Sequence, residues 1–205
     1  RCQARGLYMS VVNLVSGGLD STLIAVMMRE EGIEQFPLFI DYGQRAAKRE
    51  WDTCQAVHSG LGLPIPVRMD LSGYGAVIAS GLTRESLDIK TEAFTPGRNL
   101  MFLLMGAAYA HQVQANSIAL GLLSEKFSLF PDQRADFLVK TESTLTTALG
   151  HSIKIVTPLF EFSKADVVEL ARQKGISGTY SCHAGGGTPC GTCIYCMEFS
   201  NTSRS

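Results

Sequence analysis

Two short stretches of this chain hold residue types suited to chemistry rather than to packing. The first is Ser16-Gly17-Gly18-Leu19-Asp20-Ser21-Thr22, which follows an apolar run at 11–15 and opens a helical pattern over 22–31. A loop leading from a strand into a helix offers free backbone N–H groups and the positive end of the helix dipole, and both favour an anion. Gly17 and Gly18 let the backbone approach phosphate oxygens, and the hydroxyls of Ser16, Ser21 and Thr22 add donors. Asp20 repels phosphate unless a cation such as Mg²⁺ stands between them, which assigns it to metal-linked phosphate handling. The Gly-Lys-Ser/Thr ending of a Walker A loop is missing. Read without a nucleotide, the same string is a Gly-Gly turn capped by Ser and Asp.

The second stretch is Cys182-x7-Cys190-x2-Cys193-x2-Cys196, four of the six cysteines crowded into fifteen residues. Four thiolates complete a tetrahedron around one Zn²⁺, and Gly185, Gly186, Gly187 and Gly191 permit the tight turns this requires. An iron–sulfur cluster is the alternative at this spacing. A closed four-cysteine zinc site has no open coordination position, so its expected role is structural. His183 beside a full set reads as a supporting or surface residue, Cys54 as a buried helix residue and Cys2 as an exposed thiol. The clustering, with no apolar signal core in residues 1–10, favours metal binding in a reducing cytoplasm over disulfides.

The elements that must position these residues alternate along the chain. Strands are expected at 11–15, 36–40, 65–69, 117–122 and 154–158, and helices at 22–31, 46–60, 99–112, 136–149 and 163–174. The last helix has Ser163 as N-cap, Asp166 three residues on and Gly175 past its end. This order predicts an α/β fold, a parallel sheet wrapped by helices. The 99–112 helix is apolar on most sides and is expected to be buried, whereas 70–94 lacks periodicity and is expected to be a mobile surface loop. One domain is expected over 11–205, including a zinc-binding segment at 179–197, with 1–10 as a tail.

Composition sets the outer bounds. At 205 residues, 45% hydrophobic and 18% charged, the chain can bury a sizeable core. A net charge of -1 argues against broad sequence-independent binding of nucleic acid. No apolar run reaches the roughly 18 residues of a membrane-spanning helix.

The string SGGLDST resembles the pyrophosphate loop of the N-type ATP pyrophosphatases, which cleave ATP to AMP and pyrophosphate while adenylating a substrate oxygen. Further strings narrow the resemblance: Asp41-Tyr42-Gly43-Gln44-Arg45, Phe94-Thr95-Pro96-Gly97-Arg98-Asn99, Pro131-Asp132-Gln133-Arg134-Ala135-Asp136-Phe137, Thr179-Tyr180-Ser181-Cys182, and the cysteine run itself. Together they resemble the 7-cyano-7-deazaguanine synthase family, from Val11 to Cys196. The resemblance implies a Rossmann-like, adenine nucleotide alpha hydrolase-like sheet and a carbon–nitrogen ligase of the queuosine pathway. It implies ATP, Mg²⁺ and Zn²⁺ as cofactors, 7-carboxy-7-deazaguanine and ammonia as substrates, and a cytoplasmic homodimer. Val15, Ser16, Gly17, Gly18, Leu19, Asp20, Ser21 and Thr22 would hold the phosphates, with Asp20, Arg98 and Lys164 catalytic. Tyr42, Gln44, Arg45, Arg98, Asn99, Asp132 and Arg134 would face the substrate, with Phe130 or Phe137 stacking on it.

The chain departs from the family's usual pattern at Ala46, Gln133, His183 and the stretch after Cys196. ATP activation is expected to survive these changes, and the final product is less constrained. Two alternatives therefore stand beside the synthase. One is a diverged relative, of the kind found in antiphage operons, that stops at an amide with a protein amine. The other is a non-catalytic zinc-ribbon module that binds RNA.

Overall fold

A computed structural model describes residues 10–124, 126 and 128–202. The expectations for Cys2, for the 1–9 portion of the tail and for the last three residues lie outside the described residues. Strand β1 (Ser10–Val15) runs into helix α1 (Leu19–Glu30), then β2 (Glu34–Asp41), α2 (Ala47–Gly60), β3 (Val67–Asp70) and a short α3 (Ser72–Val77). After a long connection come α4 (Arg98–Val113), β4 (Ser117–Ala119), a 3₁₀ turn at Pro131–Gln133, α5 (Ala135–Leu149), β5 (Lys154–Val156), α6 (Lys164–Gln173) and α7 (Ile194–Thr202).

All the strands pair in parallel, in the order β3-β2-β1-β4-β5. Central β1 is buried on both faces from Val11 to Val15 and apolar except for Asn13, as suits a parallel strand covered by helices on both sides. One face is sealed by α1 and α6 through Leu23, Ile24, Val26, Val167 and Ala171. The other is sealed by α4 and α5, with Leu103, Ala107 and Leu145 packed on Leu14 and Ile118. At Gly106 a Cβ would fall 2.9 Å from the Ile118 side chain, so α4 lies close against the sheet and a larger residue there would have to displace Ile118. The strand order reverses between β1 and β4. Open α/β sheets bind ligands at such a switch point, outside the carboxyl ends of the strands.

Several boundaries differ from expectation for local reasons. Helix α1 begins at Leu19, so Asp20 stands in its first turn rather than in the loop ahead of it. Strand β3 begins at Val67, because Pro66 has no N–H to give the ladder. Segment 70–94 is not a plain surface loop: it forms α3 and then a buried polar knot. There Ser80 Oγ meets Thr95 Oγ1 at 2.8 Å, Ser80 N–H donates to Thr83 Oγ1 at 2.9 Å, and Gly81 N–H donates to Glu92 O at 2.7 Å. Helix α4 is not buried all round, since Leu100 and Leu104 are 45% and 43% exposed. The Ser163–Asp166 capping box of α6 is present as expected. Among the described residues no helix is long and apolar enough to cross a membrane.

Candidate functional site

The carboxyl ends of β1, β2 and β4 open into a cleft of about 310 Å³. Its floor at one end is the 16–21 loop: Val15, Ser16, Gly18, Leu19, Asp20 and Ser21 line it. Gly17 supports the loop from behind. Its φ is +77°, and a Cβ there would lie 2.7 Å from Cys54 N and 2.8 Å from Glu50 O on α2. Thr22 is turned into the core, with its hydroxyl buried and without a partner among the described residues.

The loop amides are not free, as the strand-to-helix geometry alone suggested. Gly18 N–H donates to Ser16 Oγ, Leu19 N–H to Ser181 Oγ and Ser16 N–H to Ser21 Oγ, each at 3.3 Å. These bonds lie beyond the usual N–H···O range, so the hydroxyls stand as weak substitutes for stronger acceptors. The stretch just before Cys182 also holds the loop through its backbone, with Tyr180 N–H donating to Gly17 O at 3.0 Å.

Asp20 faces a cation, and that cation is Lys164. From the start of α6 its Nζ reaches the two carboxylate oxygens at 2.7 and 2.9 Å. Only 9% of the Lys164 side chain is exposed. Its ammonium also lies 3.9 Å from the Tyr195 ring centroid and 5.3 Å from that of Phe199, both on α7. A buried ammonium needs such compensation, and a carboxylate with two aromatic faces supplies it. Tyr195 and Glu198 line the same end of the cleft.

The other end is assembled from separate elements. Tyr42, at the end of β2, packs edge-on to Phe102 of α4 at 5.4 Å. The Arg98 guanidinium carbon lies 5.8 Å from both ring centroids, and its Nε is buried without a partner among the described residues. Asn99 Nδ2 donates to the Asp132 carbonyl at 3.0 Å, tying α4 to the 3₁₀ turn. Gln44 Oε1 accepts from Tyr42 N–H at 2.9 Å, which turns its amide nitrogen toward Glu50 Oε2, also at 2.9 Å. Burial pushes the Glu50 carboxyl up to about 7, against the opposing pull of the Gln44 hydrogen bond and of Arg98.

Not every residue singled out in the sequence lines this cleft. Arg45 turns aside: its Nη1 donates to Gly81 O at 3.2 Å and its N–H to Leu82 O at 2.8 Å, fastening the polar knot to the β2–α2 turn. Asp132 offers its backbone, Arg134 is exposed at the start of α5, and Phe137 packs into the core. Phe130 and Gln133 do line the cleft. Phe130 packs on Phe94 at 5.2 Å, and Gln133 Oε1 takes the N–H groups of Leu129 and Phe130 at 2.9 and 3.0 Å. His183 lines it as well. Burial, with the positive charges of Arg98 and Lys164, pulls its imidazole down to about 4. Ser181 stands in the Thr179–Cys182 string quoted above, though without an assigned role, whereas Glu50, Tyr195 and Glu198 carry no spacing signal that would have marked them in the sequence.

Beside the cleft, the Sγ atoms of Cys182, Cys190, Cys193 and Cys196 all lie within 4.8 Å of one another. Burial would raise the Cys190 thiol, but donors from Thr192 and the Cys193 amide bring it down to about 6. Cys190 N–H donates to Cys182 Sγ and Cys193 N–H to Cys190 Sγ, both at 3.3 Å. Amide donors aimed at sulfur stabilise thiolates, so this cluster suits a tetrahedral cation such as Zn²⁺.

Residues 10–203 match the family model described as Queuosine biosynthesis protein QueC. The chain is 36% identical over 203 residues to the 7-cyano-7-deazaguanine synthase of Parasynechococcus marenigrum (strain WH8102), covering 90% of this chain and 88% of that one. It is 33% identical to the 7-cyano-7-deazaguanine synthase of Campylobacter curvus (strain 525.92), over 90% and 88%. In fold it is similar to the NMN synthetase of Francisella tularensis, at TM-score 0.54 and 16% identity over 93% of this chain and 73% of that one. It is similar too to the NH3-dependent NAD synthetase of Campylobacter jejuni, at TM-score 0.51 and 14% identity over 83% and 66%. At those identities the likeness is one of fold.

Proposed function

The chain belongs to the queuosine biosynthesis protein QueC family, and on that premise we propose that it is an ATP-dependent carbon–nitrogen ligase converting 7-carboxy-7-deazaguanine and ammonia into 7-cyano-7-deazaguanine. A carboxylate is a poor electrophile. In this reading its oxygen attacks the α-phosphorus of ATP, expelling pyrophosphate and leaving an acyl-adenylate. Ammonia then displaces AMP to give the amide. A second adenylation, on the amide oxygen, allows loss of AMP and a proton to form the nitrile.

One observation carries the reading: a single cleft at the switch point joins an anion-favouring loop at one end to Arg98, Tyr42 and Phe130 at the other. The loop amides would exchange their 3.3 Å hydroxyl partners for phosphate oxygens, which are charged and stronger acceptors. Lys164 would add positive charge beside the departing pyrophosphate. Asp20, whose oxygens keep spare lone pairs beyond those used by Lys164, would hold Mg²⁺, which screens phosphate charge. Arg98, with an unpartnered buried Nε, would contact carboxylate or phosphate in the transition state. Phe130 would cover the face of the deazaguanine. The four cysteines would hold Zn²⁺ as a structural ion that anchors the 180–181 clamp on the loop. A homodimer is part of the proposal, supported by the exposed Leu100 and Leu104, which share one face of α4.

Mass spectrometry of products formed from 7-carboxy-7-deazaguanine, Mg-ATP and ammonium tests the reading. Nitrile with AMP and pyrophosphate is the expected outcome. Amide without nitrile would replace the synthase by the conjugating relative, and absence of AMP would overturn the ligase for this substrate.

A further inference from the structure

If the chain uses ammonia as proposed above, the nitrogen must attack as a free base, because ammonium has no lone pair to give an acyl carbon. Simple amines titrate near ~10, so at neutral pH the cleft meets chiefly the protonated form. A group that binds the cation and takes its proton would supply the base, and Asp20 is committed to Lys164 and, in the reading above, to Mg²⁺.

Glu50 meets the requirement by position. It stands in the first turn of α2, and its side chain lines the cleft while its backbone carbonyl packs behind Gly17 of the phosphate loop. Its carboxylate therefore sits where the loop end and the Tyr42–Arg98 end of the cleft meet. Gln44 fixes its orientation. The Gln44 oxygen is taken by Tyr42 N–H, so only the amide nitrogen can face Glu50 Oε2. That leaves Oε1, which accepts from no donor among the described residues. The charged and titratable groups that face Glu50 are Asp41 and Tyr42 at the end of β2, Arg98 on α4, Tyr180 before the cysteine cluster and Cys54 on its own helix. Arg98 is the one cation among them, and it is stacked over Tyr42 and Phe102 rather than paired with Glu50. A carboxylate in the cleft wall with no ion-pair partner among the described residues, one oxygen left without a donor, suits a small cation rich in donors.

We propose that Glu50 is the general base that binds ammonium in the cleft and takes its proton, releasing ammonia onto the acyl-adenylate. Proton transfer from NH₄⁺ to the Glu50 carboxylate gives NH₃ and the carboxylic acid. The nitrogen lone pair forms the C–N bond to the acyl carbon, the bond from that carbon to the AMP oxygen breaks, and AMP leaves with the electron pair. The extra proton on the new amide nitrogen passes to the AMP phosphate or water, and Glu50 returns its own to solvent. Burial supports the role, since a carboxyl raised to about 7 is a better base toward ammonium than one in the ordinary range.

The test is Glu50→Gln, which keeps the shape and the capacity to accept from Gln44. Three rates are compared with the wild type: substrate-dependent exchange of pyrophosphate into ATP, amide formation from ammonium, and hydroxamate formation from hydroxylamine, a free base at neutral pH. The expected result is exchange and hydroxamate formation within about threefold of wild type, with amide formation at pH 7 down by on the order of 10²-fold. That deficit should shrink as the pH rises toward the titration of ammonium. Wild-type amide formation by the variant at pH 7 overturns the inference. So does a parallel loss of all three rates, which would make Glu50 a support of the loop; Glu50→Asp, which keeps the base, should then restore none of them. Absence of exchange in the wild type would defeat the substrate reading and the inference with it. That is distinguishable from exchange present with Glu50 irrelevant.

Discussion

The two ends of the cleft are built on opposite plans. The loop end comes from consecutive residues, 15 to 21, shaped by one strand, one tight turn and one helix start. The far end gathers Tyr42 and Gln44 from the end of β2, Arg98 from α4 and Phe130 ahead of the 3₁₀ turn, with Glu50 of α2 where the two ends meet. A contiguous site takes its geometry from local backbone, and a gathered one takes it from tertiary packing. Yet the loop end is not self-sufficient. Its backbone is clamped by Tyr180 and Ser181, and its acid is neutralised by Lys164 from α6 under the rings of α7. The Tyr180–Ser181 clamp and the rings over Lys164 both belong to the C-terminal segment that carries the four-cysteine cluster.

The largest expected effect therefore comes from outside the loop. Cys193→Ser should abolish metal retention, measured as zinc per chain by elemental analysis, because Cys193 is fully buried at the heart of the cluster. Loss of a structural metal removes several kcal/mol, and ~2–4 °C of midpoint accompanies each kcal/mol in a chain of this size, so the thermal midpoint should fall by on the order of 10 °C. An unchanged midpoint would show that the loop end stands without the cysteine segment.

Next in size is the turn itself. Gly17→Ala meets both a left-handed φ and backbone atoms at 2.7 and 2.8 Å that cannot rotate away. The conformational cost and the overpacking together should come to about 3 kcal/mol in denaturant unfolding. Gly62 provides the contrast, with φ +62° and nothing within 4 Å, so Gly62→Ala should cost only about 1 kcal/mol. Equal costs at the two positions would mean that α2 does not press on the loop as described.

Lys164→Met tests the borrowed charge. Removing it strands Asp20, whose side chain is 20% exposed and so partly relieved by water, and about 2 kcal/mol of stability should be lost. Lys140, paired with Asp136 on the open surface of α5, is the control, and Lys140→Met should stay within about 0.5 kcal/mol. If Lys164 serves the phosphates, AMP release should fall by more than that stability loss explains, which single-turnover measurements at saturating ATP would read.

This contrast also explains what the sequence could disclose. The loop, the cysteine cluster and the Ser163 cap are legible because each is a short-range pattern with a fixed backbone consequence. The alternation of strands and helices likewise disclosed the parallel sheet. What escaped detection is long-range or lacks periodicity. The Ser80–Thr83–Thr95 knot buries hydroxyls where a sequence pattern looks for apolar residues, so it reads as loop. The hydroxyl partners of the loop amides include Ser181, which lies 162 positions away from Leu19. The Lys164 ion pair spans 144 positions, and nothing local to either residue announces it. Glu50 shows only its helix position in the sequence; its burial and its Gln44 partner exist only after folding.

Arg134 gives the smallest effect and the sharpest check on the gathered end. Family resemblance puts it at the substrate, beside Asp132, whereas its side chain is exposed at the start of α5 and outside the cleft lining. Arg98 has the opposite setting, half-enclosed by Tyr42 and Phe102 with its Nε buried and unsatisfied. If the gathered end works as arranged here, Arg98→Ala should lower kcat/KM for the carboxylate by about 10²–10³, the usual loss of one preorganised donor. Arg134→Ala should then change KM by less than about threefold and stability by no more than about 0.5 kcal/mol. A large KM effect at Arg134 with folding unchanged would mean that the 3₁₀ turn and the start of α5 swing over the substrate. The far wall would then be completed by ligand binding, while the loop end is set before the ligand arrives.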